Sequence, residues 1–415
     1  MSSTLKQLRF CMITTFYPPW SFGGDAVYVW QLSNELALRG HHVTVIHCID
    51  SYEMLAGRDP DAGYENHPNV EVHGLESKYG FLSPLATQQT GYPIFKSRRI
   101  KEILDEGFDV IHFHNISLVG GPKIIEYGEG IKLYTTHEYW LLCPTHVLMR
   151  FGRALCVEPH CFLCQLVQKR PPQLWRYTGL MEDSLNRLDA IISPSLFGKK
   201  LHEKKGLSAP IYHIPNFITE YKYSTDPGAK SEMAIPKEPY FLYAGRIEKL
   251  KGVQNLIPAF NTYKKARLVI AGKGGYENEM RELSREIENI DIIGYLSPHE
   301  LRKLYKRATA LIVPSINYEI SPLVVFEAFR EKTPVIVNNI GGLPELIEES
   351  GGGFVYDSER ELVSVMDRLL SEPSLREELG VMGYECYLRK WSAEPHLKSY
   401  LALIESIKAR GASSR

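Results

Sequence analysis

Short apolar runs alternate with longer amphipathic segments along nearly the whole chain. This alternation is typical of strand–helix–strand units that build a parallel sheet. Strands are predicted in two series, at 8–15, 43–47, 70–74, 109–112, 132–136, 190–193 and 211–214, and then at 240–244, 267–271, 290–293, 310–313, 334–337 and 353–356. The clearest helical patterns lie between them, at 25–39, 94–106, 175–187, 196–204, 253–263, 277–287, 298–307, 322–330, 343–348 and 361–369.

A polar, turn-rich segment at 219–236 separates the two series, and a chain of 415 residues has room for more than one domain. We therefore predict an α/β fold with two doubly wound domains, 1–218 and 237–390. In such domains ligands bind beyond the carboxyl ends of the strands. The last amphipathic pattern, at 395–408 within the terminal segment 391–415, follows a completed second sheet. We expect this helix to return to the first domain.

Composition and charge narrow the classes of function. Lys plus Arg number 48 and Asp plus Glu number 49, for a net charge of −1. Nucleic-acid-binding domains concentrate positive charge, so no nucleic acid partner is expected. No run of about 18 apolar residues is present, so no membrane-spanning helix is expected. Seven cysteines, an odd number without an export signal, favour the reducing cytoplasm over a disulfide framework.

Two basic clusters suggest contact with a membrane surface. One lies on the predicted helix 196–204, beside Leu196, Phe197 and Leu201, and the other lies on the predicted helix 94–106. A basic amphipathic surface suits anionic lipid headgroups, although an ordinary solvated helix face has the same pattern. The protein is therefore expected in the cytoplasm, with peripheral membrane contact as one alternative. The basic residues are Lys199, Lys200, Lys204, Lys205, Lys96, Arg98, Arg99 and Lys101.

The loop after the first predicted strand contains Gly23 and Gly24 and leads directly into a helix. Two glycines at a helix N-terminus let backbone N–H groups approach an anion closely, and the helix dipole adds to the attraction. No third glycine follows at the spacing of a dinucleotide-binding fingerprint. The loop is either a phosphate or substrate contact or a flexible connector.

Two basic residues follow the first strand of the second domain. Arg246 and Lys251 lie five positions apart in the segment 245–252. An Arg can bind a diphosphate through its bidentate fork, and a Lys can add a point charge. Either residue alone would be more typical of a solvated basic loop.

The segment 319–327 follows the predicted strand 310–313. Ser321 suits a helix N-cap and Pro322 the first helical position. Glu327 then lies within an apolar helix start, where a carboxylate is costly unless another group hydrogen-bonds it. A ribose diol, or a neighbouring Arg or Lys, could supply that hydrogen bond. Glu319, in the loop, could face a sugar hydroxyl.

Together these segments resemble the retaining glycosyltransferases of family 4, which have the GT-B fold. The resemblance rests on Glu319 and Glu327, the segment 245–252, the early Gly-Gly loop, and the stretches 109–114, 136–138, 193–195 and 214–216. It implies two Rossmann-like domains facing a cleft, with a nucleotide-sugar donor held mainly by the second. A saccharide or lipid-linked acceptor, held mainly by the first, is usual in bacterial cell-envelope or exopolysaccharide synthesis.

The resemblance also implies roles for individual residues. Arg246 and Lys251 would neutralise the departing diphosphate, and Glu327 would bind the ribose hydroxyls. Glu319 would hold the transferred sugar, and His137 would help to orient it. The expected catalytic residues are Arg246, Lys251, Glu319 and His137. A histidine at a strand end is otherwise more often structural.

The remaining expected donor contacts are largely made by backbone. Main chain at Gly294 and Tyr295 would meet the base, and that of Gly23 and Gly24 would meet phosphate or acceptor. The donor-binding set is completed by Ser321, Leu323 and Val324.

No metal ion or other cofactor is expected to be required for catalysis. Negative charge develops on the diphosphate as the glycosidic bond breaks, and preorganised positive groups stabilise it. The one Asp-x-Asp, at 59–61, lies in a polar loop and is interpreted as a turn. The resemblance implies that retention follows from attack on the face that the diphosphate leaves, with that phosphate accepting the proton of the acceptor.

Two other functions remain open. A nucleotide-sugar 2-epimerase would have a similar cleft, but a basic pair with two spaced glutamates fits transfer better. A catalytically silent protein that binds sugar nucleotides or metal would be expected to lack Glu319 or Arg246, and both are present. A nicotinamide dehydrogenase is excluded because the glycines at 272–275 have the wrong spacing.

Four of the seven cysteines lie in an irregular segment, 143–164, that we interpret as an insertion in the first domain. Their spacing is Cys-x12-Cys-x4-Cys-x2-Cys, and four thiolates form a complete tetrahedral set for structural zinc. The same ligands could hold an iron–sulfur cluster, or they could be reduced, partly buried thiols. His146 and His160 are alternative ligands. The predicted ligands are Cys143, Cys156, Cys161 and Cys164.

Overall fold

The computed structural model describes residues 7–56, 60, 64–219 and 235–413. Most of the predicted linker, and both aspartates of the Asp-x-Asp turn, lie outside these residues. The chain divides into two compact units. Unit 1 comprises Met1–Pro215 with His396–Arg415, and unit 2 comprises Asn216–Pro395.

In the described residues, unit 1 contains a parallel sheet of seven strands in the order β3-β2-β1-β4-β5-β8-β9. The direction in which successive strands are added reverses between β1 and β4, which is where ligands bind in doubly wound sheets. A separate antiparallel hairpin is formed by β6 and β7. The strands are β1 (Arg9–Ile13), β2 (His42–Cys48), β3 (Val70–Leu75), β4 (Val110–Phe113), β5 (Ile131–Thr135), β6 (Met149–Arg150), β7 (Ala154–Leu155), β8 (Ala190–Ser193) and β9 (Ile211–His213).

Helices connect these strands, and α1 shows how the local sequence sets their ends. It begins after Gly23, whose φ is 103°, and its first turn carries Asp25, which suits the positive end of a helix dipole. Gly40, with φ of 86°, ends the turn that follows. The helices of unit 1 up to β9 are α1 (Gly24–Leu38), α2 (Ile49–Ala56), α3 (Leu82–Thr90), α4 (Ser97–Leu104), α5 (Cys161–Val167), α6 (Leu180–Leu185) and α7 (Leu196–Lys204).

The continuous helix predicted at 175–187 is wrong. The structure instead has a 3-10 turn at Leu174–Tyr177 and then α6. Gly179 separates them in the left-handed conformation, with φ of 78°. Glycine adopts this conformation without a steric penalty, and it interrupts the helical path. Trp175, at the break, donates its indole N–H to the carbonyl of Gln88 on α3.

Unit 2 repeats the architecture, with six described parallel strands in the order β12-β11-β10-β13-β14-β15. Its strands are β10 (Tyr240–Ala244), β11 (Arg267–Ala271), β12 (Ile290–Gly294), β13 (Ala310–Val313), β14 (Val335–Asn338) and β15 (Gly353–Tyr356). Its helices are α8 (Ile257–Thr262), α9 (Glu277–Leu283), α10 (Pro298–Arg307), α11 (Leu323–Arg330), α12 (Leu343–Ser350), α13 (Glu359–Ser371) and α14 (Pro373–Cys386), with a π-helical turn at Tyr387–Trp391.

The last helix, α15 (Ala393–Ser413), belongs to unit 1 from His396 onward. Tyr400 lies on its buried side, where the hydroxyl is 2.9 Å from His112 Nδ1 and the ring stacks on Phe10. Lys408 lies 3.7 Å from the carboxylate of Asp109 farther along the helix. The final helix therefore returns to the first domain, as expected from its position after a completed sheet.

Each unit has its own core between sheet and helices. The core of unit 1 includes Ile13, Phe113 and Trp140, and that of unit 2 includes Phe241, Phe260 and Ile312, all buried. Removing one such side chain typically costs about 2–5 kcal/mol. The two cores hold the sheets in place, and each sheet positions the loops at its carboxyl edge.

Candidate active site

In unit 2 the loops after β10 and β13 lie side by side at the point where the strand order reverses. The backbone N–H of Ile316 donates to the carbonyl of Leu250 at 3.0 Å. Gly252 has φ of 74°, and a Cβ there would overlap the carbonyl oxygen of Pro314. This close backbone approach joins the two segments that carry the predicted donor-binding residues.

Lys251 and Glu319 meet across these loops. Lys251 Nζ lies 2.7 Å from Glu319 Oε1, and Ser315 donates its hydroxyl to the same oxygen at 2.7 Å. The main chain of Glu319 is also held, because its carbonyl accepts the N–H of Gly342. Burial disfavours the charged carboxylate, but Lys251, helped by Ser315 and Arg246, outweighs burial and lowers the pKa of Glu319. Glu319 is therefore a buried, oriented anion.

Arg246 lies in the loop that follows β10, and it is exposed. Its backbone carbonyl accepts the hydroxyl of Tyr243 at 2.6 Å, which fixes the start of the loop. Its guanidinium is close enough to Glu319 to contribute to the lowered pKa of that carboxyl. The structure thus brings together Arg246, Lys251 and Glu319.

The glycines within 272–275 also lie at this carboxyl edge of the unit 2 sheet. No role was predicted for them from the sequence. Gly272 has φ of 147°, and a Cβ there would overlap the carbonyl oxygen of Gly245. A Cβ on Gly274 would likewise overlap the carbonyl oxygen of Ile247. The N–H of Ile247 donates to the carbonyl of Lys273. The sequence does carry a signal for this segment, because three of the four residues directly after β11 are glycines.

Gly294 and Tyr295 are placed next to this glycine segment. Gly294 ends β12 with φ of 79°, and its carbonyl accepts the N–H of Gly272 at 2.7 Å. Tyr295 is 51% exposed, so part of this residue lies at the surface of the edge. The structure places both residues beside the carboxyl edge of the sheet.

The prediction that Ser321 caps the helix and that Pro322 is its first residue is wrong. Pro322 itself is the N-cap of α11, with extended backbone, and the helix begins at Leu323. The hydroxyl of Ser321 has no hydrogen-bond partner among the described residues, and the same is true of Asn216 Oδ1. Asn216 approaches the Ser321 carbonyl through its amide nitrogen, at 3.4 Å. Leu323 is buried and Val324 partly buried.

Glu327 lies on α11 and accepts a hydrogen bond from a tyrosine. The hydroxyl of Tyr305, on α10, donates to Glu327 Oε2 at 3.0 Å. Burial raises the pKa of this carboxyl, and Arg330 and Tyr305 offset only part of that effect. Tyr305 was not identified from the sequence, because the two residues are 22 positions apart on different helices.

In unit 1 the predicted residues also lie at the reversal point of the sheet. Gly23 precedes α1 and Gly24 begins it. Asn115, after β4, approaches the carboxylate of Asp25 at 3.4 Å. Burial lowers the pKa of His137, after β5, and the charge of the Asp25 carboxylate reaches the imidazole and offsets part of this effect. The glycine loop and His137 are therefore neighbours.

His137 is partly buried and lies against a second, buried histidine. Its Nε2 lies 3.0 Å from Nδ1 of His114, and its ring lies 5.0 Å from that of Tyr28. Burial lowers the pKa of His137 to about 4, with Asp25 opposing the change. Burial also lowers the pKa of His114 well below its usual range. His137 is therefore neutral at pH 7, and His114 is its direct neighbour.

The cysteines are all free, and four of them lie around the β6–β7 hairpin and α5. Among the described residues, no group of three or more His, Cys, Asp or Glu side chains is arranged to hold a metal ion. Three of these four thiols, those of Cys143, Cys156 and Cys164, have separate local contacts. Cys143 Sγ is 3.3 Å from Thr145 Oγ1, and Cys164 Sγ accepts the N–H of Phe151 at 3.2 Å.

One residue of the predicted basic clusters is not at the surface. Lys96 is buried, and its Nζ lies 2.6 Å from the carboxylate of Asp50. A buried ammonium requires such a partner. The other members of that cluster, and those on α7 apart from the partly buried Lys199, are exposed. No helix in the described part of the chain is both long and apolar enough to cross a membrane.

The chain thus has two doubly wound units, and unit 2 carries a basic pair and a buried glutamate at the carboxyl edge of its sheet. Comparison with known proteins gives the family. Residues 22–220 match the family described as Glycosyltransferase Family 4, and residues 229–385 match Glycosyl transferases group 1. The D-inositol 3-phosphate glycosyltransferase of Pseudarthrobacter chlorophenolicus is 30% identical, over 92% of this chain and 91% of that protein. The chain belongs to glycosyltransferase family 4.

Solved structures show the same fold. Sucrose-phosphate synthase from Thermosynechococcus elongatus matches with a TM-score of 0.74 at 19% identity, covering 97% of this chain and all of that one. HepE from Anabaena, in complex with UDP-glucose, matches with a TM-score of 0.65 at 15% identity, over 99% of this chain and all of that one. The chain is a glycosyltransferase of the GT-B type.

Proposed function

We propose that the protein is a retaining glycosyltransferase that moves a sugar from a nucleotide-diphosphate donor to a saccharide or lipid-linked acceptor. The observation that carries this proposal is the meeting of Lys251, Glu319 and Arg246 at the reversal point of the unit 2 sheet. Ligands of doubly wound sheets bind at this point. The UDP-glucose bound by HepE, a protein of the same fold, supports the same class of donor.

The basic residues suit a diphosphate leaving group. Cleavage of the sugar–phosphate bond leaves an extra negative charge on the diphosphate, and fixed positive groups stabilise that charge as it develops. Arg246 is exposed, and Lys251 retains 29% exposure of its side chain while paired with Glu319. Both cations can therefore reach an anion without unfolding the loop.

The glutamates suit the hydroxyl groups of the donor. Glu319 is held as an anion by Lys251 and Ser315, so it can accept hydrogen bonds from the transferred sugar. Glu327 is proposed to bind the ribose hydroxyls, as the family implies, and its contact with Tyr305 orients the carboxylate. The backbone at Gly294 and Tyr295 is the proposed contact of the base. Ser321, with a hydroxyl that has no partner among the described residues, is proposed to donate to the donor sugar.

In unit 1, His137 is proposed to hydrogen-bond a sugar hydroxyl in its neutral form. The lowered pKa of His137 and its contact with His114 support this role, because a neutral imidazole both donates and accepts. Gly23 and Gly24 present backbone N–H groups at the start of α1, a position suited to a phosphate of the acceptor or donor. We propose no role for a metal ion in these steps.

The direct test is donor hydrolysis, because slow breakdown of a bound donor needs no acceptor. The protein is incubated with UDP-, GDP- and ADP-sugars, and release of the nucleoside diphosphate is measured. We expect one base class to be cleaved, with the first sugar product in the anomeric configuration of the donor by NMR. Folded protein that neither binds nor cleaves any of them contradicts the proposal, and release of a free epimer supports the epimerase instead.

A lipid-linked acceptor would be met at a membrane, and unit 1 has a surface suited to one. Phe81, Ile94 and Phe95 are large apolar side chains that are at least 42% exposed, close in sequence to α4. Arg98 and Arg99 on α4 have side-chain exposures of 94% and 57%. Exposed apolar groups flanked by cations suit anionic lipid headgroups.

Vesicle sedimentation tests this surface. We expect more protein to sediment with anionic than with neutral vesicles, and the excess to fall at least threefold in Arg98→Glu/Arg99→Glu, since each basic residue near a surface contributes about 1 kcal/mol. Arg360→Glu, an exposed arginine of unit 2, is the matched control. Equal sedimentation with both vesicle types would show an ordinary solvated face.

A further inference from the structure

Helix α5 has its apolar side toward solvent. Its four exposed residues are all large and apolar, and each is between 45% and 58% exposed. They occupy positions i, i+1, i+4 and i+5, which share one side of an α-helix. The opposite side carries Cys164 and Gln165, both buried. A helix at an aqueous surface normally has the reverse arrangement. The exposed residues are Phe162, Leu163, Leu166 and Val167.

Hydrogen bonds hold α5 in this orientation. Gln165 Nε2 donates to the carbonyl of Pro171 at 3.2 Å, and the backbone N–H of Gln173 donates to Gln165 Oε1 at 3.4 Å. A buried amide is costly without such partners, so both contacts favour the observed orientation. The fold itself therefore keeps the apolar side of α5 at the surface.

The apolar surface continues in sequence on both sides of α5. Val157 lies between β7 and α5, and Leu174 and Tyr177 lie in the 3-10 turn that follows α5. All three are more than half exposed. Single exposed apolar side chains are ordinary, but a cluster of them marks a surface that binds a protein or a membrane. We therefore expect this surface to have a partner.

The charges around α5 favour an anionic membrane as that partner. Residues 150–170 contain four Arg or Lys and a single carboxylate, that of Glu158. Lys169 and Arg170 closely follow α5 and are exposed, and so is Arg153 in the turn between β6 and β7. Cations beside an apolar helix face suit a lipid surface, because they meet the anionic headgroups while the apolar side chains enter the acyl region.

Helix α7 adds further cations next to this segment. Its His202 is buried, and the imidazole stacks on the ring of Tyr139 with the two centroids 5.8 Å apart. The backbone N–H of Tyr139 in turn donates to the carbonyl of His146, shortly before β6. The basic cluster of α7 and the apolar side of α5 thus belong to one part of unit 1. The exposed cations of this cluster are Lys200, Lys204 and Lys205.

We propose that α5 inserts into the surface of an anionic bilayer. The helix, about 10 Å long, lies in the plane of the interface, with its four exposed apolar side chains among the acyl chains and the flanking cations at the headgroups. The segment that carries it leaves the carboxyl edge of the unit 1 sheet next to His137. Insertion therefore brings that edge to the membrane. This surface consists of other residues than the surface at α4, and its binding to lipid requires neither donor nor acceptor.

Vesicle sedimentation of the full chain tests whether α5 supplies the apolar contact. The vesicles contain phosphatidylcholine with about a third phosphatidylglycerol, since an anionic surface attracts the flanking cations. In Leu163→Gln/Leu166→Gln the partition coefficient should fall about tenfold or more, because each CH₂ buried in lipid adds to binding. Leu283→Gln/Leu388→Gln is the matched control, since it changes two half-exposed leucines of unit 2. Equal partition coefficients in the two double variants overturn the proposal, whatever the effect of Arg98→Glu/Arg99→Glu.

Fluorescence quenching gives a second reading that reports depth in the bilayer. Leu166→Trp and Leu283→Trp each add one tryptophan at a half-exposed helical position, on α5 and on α9. The vesicles now carry bromine on the acyl chains, and the emission of the unaltered protein is subtracted. We expect the added tryptophan of Leu166→Trp to emit at shorter wavelength and to be quenched, and that of Leu283→Trp to be unchanged. Absence of quenching in Leu166→Trp overturns insertion.

A second copy of the chain is the other occupant that such a surface could accept. Sedimentation velocity without lipid, over a range of protein concentrations, distinguishes it from a membrane. We expect the same molecular mass for the unaltered protein and for Leu163→Gln/Leu166→Gln. A dimer that dissociates in this variant overturns the proposal and assigns α5 to an interface between copies of the chain.

Discussion

Lys251 Nζ and Glu319 Oε1 lie 2.7 Å apart, although 68 residues separate them in the chain. The pair joins the loop after β10 to the loop after β13, at the reversal point of the unit 2 sheet. Lys251 is the main opposing charge that keeps Glu319 ionised in spite of burial. The proposed donor site is therefore organised before a donor binds, with one cation already oriented by an anion.

Glu319→Gln tests this pair. The neutral side chain keeps the shape but loses the charge-assisted contacts, each worth about 1.5–3 kcal/mol, so donor cleavage should fall more than tenfold. Unfolding in urea should change much less, since Lys251 can reach water. If the Glu319→Gln variant cleaves donor at the unaltered rate, Glu319 has no role in transfer.

Arg246→Ala should weaken use of the donor by a similar factor while leaving the fold intact. The guanidinium is exposed and forms no ion pair among the described residues, so its removal leaves no buried charge unpartnered. Losing a charge-assisted contact with a diphosphate costs about 1.5–3 kcal/mol. Donor hydrolysis is compared with that of Arg360→Ala, which changes a second exposed arginine of unit 2. Equal loss in both variants would point to general electrostatics.

Glu327→Ala should also reduce donor use more than tenfold, because a carboxylate that binds two hydroxyls contributes about 1.5–3 kcal/mol. Tyr305→Phe removes the hydrogen bond to Glu327 Oε2 but leaves the carboxylate in place. This variant therefore separates the orientation of the Glu327 carboxylate from its binding of the ribose. We expect a smaller loss in this variant. Titration calorimetry with the nucleoside diphosphate that the hydrolysis screen identifies measures both. Unchanged affinity in Glu327→Ala would exclude a ribose contact.

Gly272→Ala should destabilise unit 2 and abolish donor binding. A Cβ at this position would overlap the carbonyl oxygen of Gly245, and the backbone has φ of 147°. Forcing a side chain into such a position costs about 3 kcal/mol or more. Gly275→Ala is the control, because its Cβ would meet nothing closer than Glu248 Oε2 at 3.7 Å. Thermal unfolding that shows equal stability for both variants would contradict this role of Gly272.

Acid should unfold unit 1 through its buried histidines. The imidazole of His396 lies between the Tyr28 hydroxyl, at 3.1 Å, and the Pro215 carbonyl, at 2.7 Å. Burial lowers the pKa of His396 from 6.5 to about 4, so the folded state binds this proton more weakly than the unfolded state. Its contribution to stability is complete above pH 6.5 and is lost as the pH falls toward 4, by on the order of 3 kcal/mol.

The free energy of unfolding in urea, measured from pH 7.5 to 4.5, tests whether stability falls as the pH is lowered. In His396→Gln the loss of stability on acidification should be smaller by up to about 1.4 kcal/mol per pH unit. His42→Gln, which changes an exposed histidine at the start of β2, should keep the slope of the unaltered protein. The same slope in His396→Gln as in that control would assign the acid sensitivity to other groups.

The strands and the fold class were predictable because buried parallel strands are short apolar runs, and each predicted strand has a counterpart in the described structure. Helix bounds were less predictable. The region 175–187 has helical periodicity, yet Gly179 breaks it with a left-handed backbone that periodicity does not report. Helix α14 was not predicted from the sequence; in the structure it packs against α11 and α12.

The sequence by itself determined which residues stand at strand ends, because hydrophobic spacing marks each strand and polar residues follow it. Those positions, together with the resemblance to family 4, gave Arg246, Lys251, Glu319 and Glu327 as a candidate site. Only the tertiary structure decided which of them meet. It paired Glu319 with Lys251 and Glu327 with Tyr305, placed His114 against His137, and brought the glycines at 272–275 onto Gly245. Such contacts depend on the order of strands in a sheet, which local sequence patterns do not encode.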